Sequence, residues 1–242
     1  MTASLSSEFD YIRENLQRIE EQIRAACLAA GRRREEVTLM AVTKTVPPER
    51  INAALAYGIT CIGENRVQEF LEKRDALQLD GVQAHLIGHL QTNKVKRIVG
   101  EVDMIQSVDS ERLARAISDA ALKTPRGSVD VLVEVNIGGE ESKSGVSVQV
   151  LPKLLEQMAT LEGIRVRGLM TIPPILPSEA EKRAIFSQMR KLFIDIKDKN
   201  VDNITMEILS MGMSMDYVEA IREGSTLVRI GSAIFGAREY IK

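Results

Sequence analysis

The feature that most constrains this chain is a succession of eight short apolar segments, each separated from the next by a more polar stretch, several of these with helical patterning. They run from Val37 to Val42, Ile59 to Gly63, Ala84 to Gly88, Met104 to Val108, Val131 to Ile137, Val166 to Ile172, Ile204 to Leu209 and Leu227 to Ile230. Most are apolar throughout instead of at alternate positions, the pattern of parallel strands covered on both faces. Between them Leu113, Ile117 and Ala121, then Leu151, Leu154, Leu155 and Met158, then Ile185, Met189, Leu192 and Ile196 recur at steps that line one face of a helix. Eight such alternations, with no linker rich in Pro, Gly or Ser, predict an α/β fold of the (β/α)8 TIM-barrel type, with residues 1–242 forming a single domain. An open doubly wound sheet is the structural alternative, since short apolar runs fit both.

An extra helix is expected before the first strand. Leu5, Phe9, Ile12, Leu16, Ile19, Ile23 and Cys27 share one face, Ser7 and Asp10 resemble a capping box, and Gly31 is placed to stop the helix. Only 12 residues follow the last apolar run. At about 1.5 Å of rise per residue this is too short for a full crossover helix, so the N-terminal helix is expected to fill that gap in the outer ring.

Composition excludes several classes. With 32 Lys and Arg against 34 Asp and Glu, the net charge of −2 supplies no field to gather nucleic acid or anionic lipid. At 44% hydrophobic residues the chain has material for a sizeable core. Cys27 and Cys61 stand in apolar patterns without a CxxC or His-rich setting, and are read as small core residues. The first residues, MTASLSSEFDYIRENL, are polar and acidic where a leader is basic and then apolar, and no run reaches the length of a membrane span. A cytoplasmic monomer without nucleic-acid or membrane partners is expected.

In a (β/α)8 barrel the site forms at the C-terminal ends of the strands. Here those ends are polar: AVTKTVPP, GENRVQE, HLIGHLQTNK, EVNIGGEESKSG, GLMTIPP, LSMGMSMD and VRIGSAIFG. Lys44 closes the first strand at the mouth of an apolar interior, where burial disfavours the ammonium and makes the amine a Schiff-base nucleophile. The plainer reading is a lysine pointing into solvent. Ser214 is expected to cap a short helix that carries Asp216 in its first turn and ends at Gly224, and Gly231 and Ser232 follow the eighth strand. Loops after strands seven and eight are the usual phosphate site of this fold, although a simple cap and a tight turn explain each feature singly. Arg229 lies inside an apolar run and needs a partner, with Glu134, Glu207 or the nitrogen of a bound pyridine as candidates.

Together AVTKT, GENRVQE, HLIGHLQTNK, SKSG, GLMTI and LSMGMSMD followed by VRIGSAIFG resemble the pyridoxal phosphate homeostasis protein family, whose members are similar to the N-terminal domain of alanine racemase. The likeness spans nearly the whole chain, with its motifs in order. It implies pyridoxal 5′-phosphate as cofactor and an internal aldimine on Lys44. It also implies phosphate contacts from Ser214, Gly231 and Ser232, a binding position at Met211 in the same LSMGMS motif, and Arg229 facing the ring nitrogen. Asn65 and His85 are implied neighbours of the ring. His89 is equally well read as an ordinary surface or loop residue and Lys94 and Lys143 as solvated lysines, although Lys143 is placed to offer a second amine during loading or release.

The implied function is intracellular homeostasis of the cofactor, by a non-catalytic carrier that buffers it or passes it to apo forms of pyridoxal-phosphate enzymes. A guanidinium cannot protonate the pyridine, so the ring is a weaker electron sink than one with an acidic partner. Racemases of related fold add a β-rich domain that supplies a tyrosine base, which this chain is expected to lack. Two alternatives stand beside the carrier: a weak racemase or lyase with Lys44 as its base, and an aldolase-like barrel acting on a phosphorylated sugar.

Overall fold

In the computed structural model, which describes residues 7–140, 143–174 and 178–236, eight parallel strands close into a barrel in the order of the sequence. They are β1 Thr38–Val42, β2 Cys61–Glu64, β3 Gln83–Leu86, β4 Met104–Val108, β5 Val129–Glu134, β6 Ile164–Met170, β7 Ile204–Met213 and β8 Leu227–Ile230. Thr38 pairs with Leu227, Met40 with Arg229 and Ala41 with Ile230, and this junction of first and last strands excludes the open sheet. The strands β4 and β8 coincide with the expected runs. The end of β7 extends through Ser210 to Met213, because pairing with neighbours and not polarity decides where a strand stops.

Each strand has two buried faces. Outward side chains such as Ala41, Ile62, Leu86, Ile105 and Val131 join the main core beneath the helices. Inward ones form two smaller clusters, Met40, Cys61, Ile87 and Leu227 in one and Met104, Leu132 and Met170 in the other. Cys27 and Cys61 are both free and buried, as their apolar settings predict.

The helix α1 Asp10–Ala29 precedes the barrel; α2 Pro48–Ala56, α3 Val67–Lys73, α4 Val95–Ile98, α5 Glu111–Ala121, α6 Leu151–Ala159, α7 Glu179–Lys197, α8 Tyr217–Arg222 and α9 Ser232–Phe235 follow β1 to β8 in turn. No helix among the described residues is long and apolar enough to cross a membrane. The start of α1 differs from the serine cap expected. Residues Ser7–Phe9 make a 3-10 turn and Phe9 takes the cap position without a side-chain hydrogen bond, while Leu5 lies outside the described residues. The stop holds: Gly31 is left-handed at φ 66°, and the Arg32 N–H returns to the Cys27 carbonyl.

As expected, α1 lies in the outer ring, beside α9, the last helix among the described residues. Asn15 Nδ2 donates to the Ile234 carbonyl of α9 at 2.9 Å, Tyr217 of α8 bonds Gln22, and Arg50 of α2 bonds the Tyr11 hydroxyl at 2.6 Å. The face of α7 is rotated from the one expected. Phe186, Met189, Phe193 and Ile196 are buried, whereas Ile185 and Leu192 sit at its margin, because the two phenylalanines offer the larger apolar area to the sheet.

Candidate functional site

Because all eight strands are parallel, Lys44, Asn65, Ser214, Gly231 and Ser232, each just past a strand end, gather at one rim of the barrel. Lys44 is half-buried two residues beyond Val42. A Cβ added at Gly231 would meet Val42 Cβ at 3.3 Å, so the turn after β8 abuts the end of β1. The backbone N–H groups of Gly231 and Ala233 both point at the Ser214 hydroxyl, at 3.3 and 3.4 Å. Ser232 begins α9, exposed.

Ser214 therefore does not cap α8. Asp216 takes that position and accepts a hydrogen bond from the Met213 N–H at 2.6 Å, leaving the serine to reach across to β8. Gly212 makes this turn possible. It sits at φ 92°, and a Cβ there would lie 2.5 Å from Ala220 Cβ. The helix does end at Gly224, itself left-handed.

A chain of polar side chains runs through the barrel below the mouth. Arg229, 3% exposed, donates to the Ser210 hydroxyl at 2.7 Å and to the Thr171 carbonyl at 2.8 Å. Ser210 donates to Gln106 Oε1 at 2.7 Å, and Gln106 Nε2 lies 2.9 Å from His85 Nδ1. With its oxygen already accepting from serine, Gln106 has only its amide N–H to offer. His85 Nδ1 thus accepts, and the ring proton resides on Nε2. Burial pushes the His85 pKa down to about 4, against the pull of Asp103 and Asp130. The imidazole is neutral in the physiological range.

Charge is sparse here and strongly perturbed. Burial brings Arg229 down to about 10, with Glu134 and Asp216 opposing, so it remains a cation at neutral pH. Glu134 rises to about 7, first by burial and then by the charge of Asp109, with Arg229 offsetting part. Burial also raises Asp216. Glu207 is no partner of Arg229: it pairs with Arg167, which also reaches Asp130 of β5.

Of the remaining residues singled out in the sequence, Asn65 is half-buried and its Oδ1 is a buried acceptor with no hydrogen-bond partner among the described residues. Met211 is fully buried in the main core beside Leu209, while its neighbour Ser210 turns inward, so the Met211 side chain is not at the mouth. His89 lies 4.0 Å from Asp109 and lines a groove of about 490 Å³ with Arg112. Lys94 is half-buried on the turn before α4. Lys143 is not simply solvated, since it donates to the Pro173 carbonyl at 2.9 Å and pairs with Glu140 at 3.2 Å, tying the loop after β5 to that after β6.

The sequence reading missed Gln106, Ser210 and the Thr171 carbonyl. Their signal was a polar pair inside the run MIQSV and a serine inside EILSM, where a buried polar group implies a partner.

The profile of the alanine racemase N-terminal domain matches residues 12–239. A pyridoxal phosphate homeostasis protein of Aquifex aeolicus is 45% identical over 227 residues, covering 94% of this chain and 98% of the relative. A solved protein of Bifidobacterium adolescentis, described as unknown, superposes with a TM-score of 0.89 at 39% identity, covering 95% of this chain and 96% of its own. PipY of Synechococcus elongatus, solved with PLP bound, superposes at 0.81 with 33% identity over 93% of this chain and 100% of its own. The chain thus belongs to the alanine racemase N-terminal domain family and, within it, to the pyridoxal phosphate homeostasis proteins.

Proposed function

We propose that this chain binds pyridoxal 5′-phosphate at the C-terminal mouth of its barrel, with Lys44 as the Schiff-base lysine, and serves to hold and release that cofactor. The observation that carries the reading is the convergence of Lys44 with Ser214, Gly231 and Ala233 at one rim. The donor set fits the group. Two backbone N–H groups and a hydroxyl suit a phosphate, and the unpartnered Asn65 Oδ1 suits a ring hydroxyl. Arg229 suits a ring nitrogen that accepts.

When bound, the cofactor supplies an aldehyde for condensation with amines and a ring that withdraws electrons. The protein's own groups decide how far that withdrawal goes. Arg229 can donate a hydrogen bond but retains its proton at neutral pH, which favours an unprotonated pyridine and restrains carbanion chemistry. Ser210 and the Thr171 carbonyl hold the guanidinium in place. These features suit sequestering a reactive aldehyde, with apo forms of pyridoxal-phosphate enzymes as recipients.

The test is the visible spectrum of the purified protein with added cofactor, then borohydride reduction and peptide mapping. An adduct on Lys44, lost in Lys44→Ala, is expected; an adduct mapped to another lysine overturns the assignment. Delivery is tested by transfer to an apo-enzyme, which must be faster than from free cofactor. A second reading, a weak racemase or lyase, draws on Glu134, whose carboxyl near 7 is able to exchange protons in the barrel. Loss of substrate α-deuterium to water, absent in Lys44→Ala, would support it.

A further inference from the structure

Behind the turn that carries Lys44, on the outer side of β1 and β2, lies a compact ionic cluster that the cofactor reading leaves unused. Lys73, in the last turn of α3, donates to Glu64 Oε2 at 3.1 Å, to Glu69, and to the Thr43 carbonyl at 2.9 Å. These contacts use all three donors of its ammonium. Glu64 is 1% exposed and also accepts from the Thr43 hydroxyl at 3.2 Å and from the Asn65 N–H at 2.7 Å. Glu69 in turn accepts from the Thr45 N–H.

The two residues flanking Lys44 are thus both held by one cluster, Thr43 through its carbonyl and hydroxyl and Thr45 through its amide. Thr45 is also left-handed at φ 61°, a conformation that a β-branched residue adopts only under outside constraint. An ion cluster this deeply set is weak support for stability as such, because desolvation consumes much of its Coulomb attraction. Its geometry points to a different use.

We infer that Lys73, clamped between Glu64 and Glu69, is a positioning residue that fixes the backbone on both sides of Lys44 and so aims its amine into the barrel mouth. The inference rests on Lys44 being the Schiff-base lysine. Condensation of that amine with an aldehyde forms a C=N bond and releases one water, and its rate depends on the amine being held in attacking geometry. The phosphate donors, just past the ends of β7 and β8, lie outside the cluster, so phosphate binding and condensation should separate.

The experiment compares Lys73→Met with the unaltered protein by two readouts. One is the rate at which the visible Schiff-base band appears on mixing with pyridoxal 5′-phosphate. The other is the affinity for pyridoxine 5′-phosphate, which carries the phosphate and ring but no aldehyde. We expect condensation to slow about ten- to a hundredfold, as a misplacement of ~1 Å can cost about 10²-fold, while analogue affinity stays within about twofold. Glu69→Ala, which removes only the partly exposed acceptor of Thr45 and Lys73, is expected to slow condensation in the same sense and guards against misfolding of the first variant. An unchanged condensation rate in both variants overturns the inference. So does an equal loss of both readouts, which would mark the cluster as merely structural. If the unaltered protein binds neither compound, the cofactor reading itself fails, an outcome distinct from either.

Discussion

Replacing Glu134 with glutamine should reshape the dependence of stability on pH. Glu134 is 4% exposed in the barrel, and its carboxyl is raised from an ordinary 4.5 to about 7. Between these values the folded protein keeps a proton that the unfolded chain has released. Stability from this group is therefore greatest at low pH and declines as pH climbs through 7, because the fold must then bury a carboxylate. At about 1.4 kcal/mol for each tenfold change in proton affinity, the decline is about 3 kcal/mol.

His85 works in the opposite sense. Its value falls from 6.5 to about 4, so below 6.5 the unfolded chain takes up a proton that the folded one refuses. This contribution is complete above 6.5 and is lost towards 4, again by about 3 kcal/mol. Across roughly pH 4.5 to 6.5 the two slopes oppose each other. Urea unfolding of both proteins at a series of pH values measures the difference. We expect the stability of Glu134→Gln relative to the parent to grow by about 3 kcal/mol between pH 4.5 and 7.5. A difference independent of pH would refute the assignment of a buried, neutral carboxyl in the barrel.

Gln106→Leu strands the Ser210 hydroxyl proton and His85 Nδ1 inside the barrel, each an orphan worth about 1–3 kcal/mol, so the urea midpoint should fall; an unchanged midpoint counts against the relay. The same variant should also relax the His85 tautomer, read from its imidazole nitrogen resonances. Gly212→Ala forces a Cβ to within 2.5 Å of Ala220 Cβ at a φ of 92°, and should cost roughly 3 kcal/mol in thermal unfolding, since strain and overpacking each run to about 1–3 kcal/mol.

Strand number, strand order and the polar rim were legible in the residues alone, because fully apolar runs spaced by helical periods leave few ways to bury both faces. The run LVRI announced both a strand and a buried cation, and AVTKT placed a lysine at a strand end, as the barrel confirms. What the cation touches was not legible. Arg229 meets Ser210, 19 positions away, and Thr171, 58 positions away, and only closure of the sheet brings them together. Ser214 misled for a related reason: a serine before a helix reads as its cap, yet the left-handed turn at Gly212 sends the hydroxyl to the amides after β8 instead. The clamp of Lys73, Glu64 and Glu69 around the Lys44 turn was likewise invisible, since charges in GENRVQEFLEK look like an ordinary helix face. Local pattern determines which elements form, because periodicity and polarity are properties of neighbours in the chain. Which polar atoms meet is decided by distances through space, and those exist only once the barrel has closed.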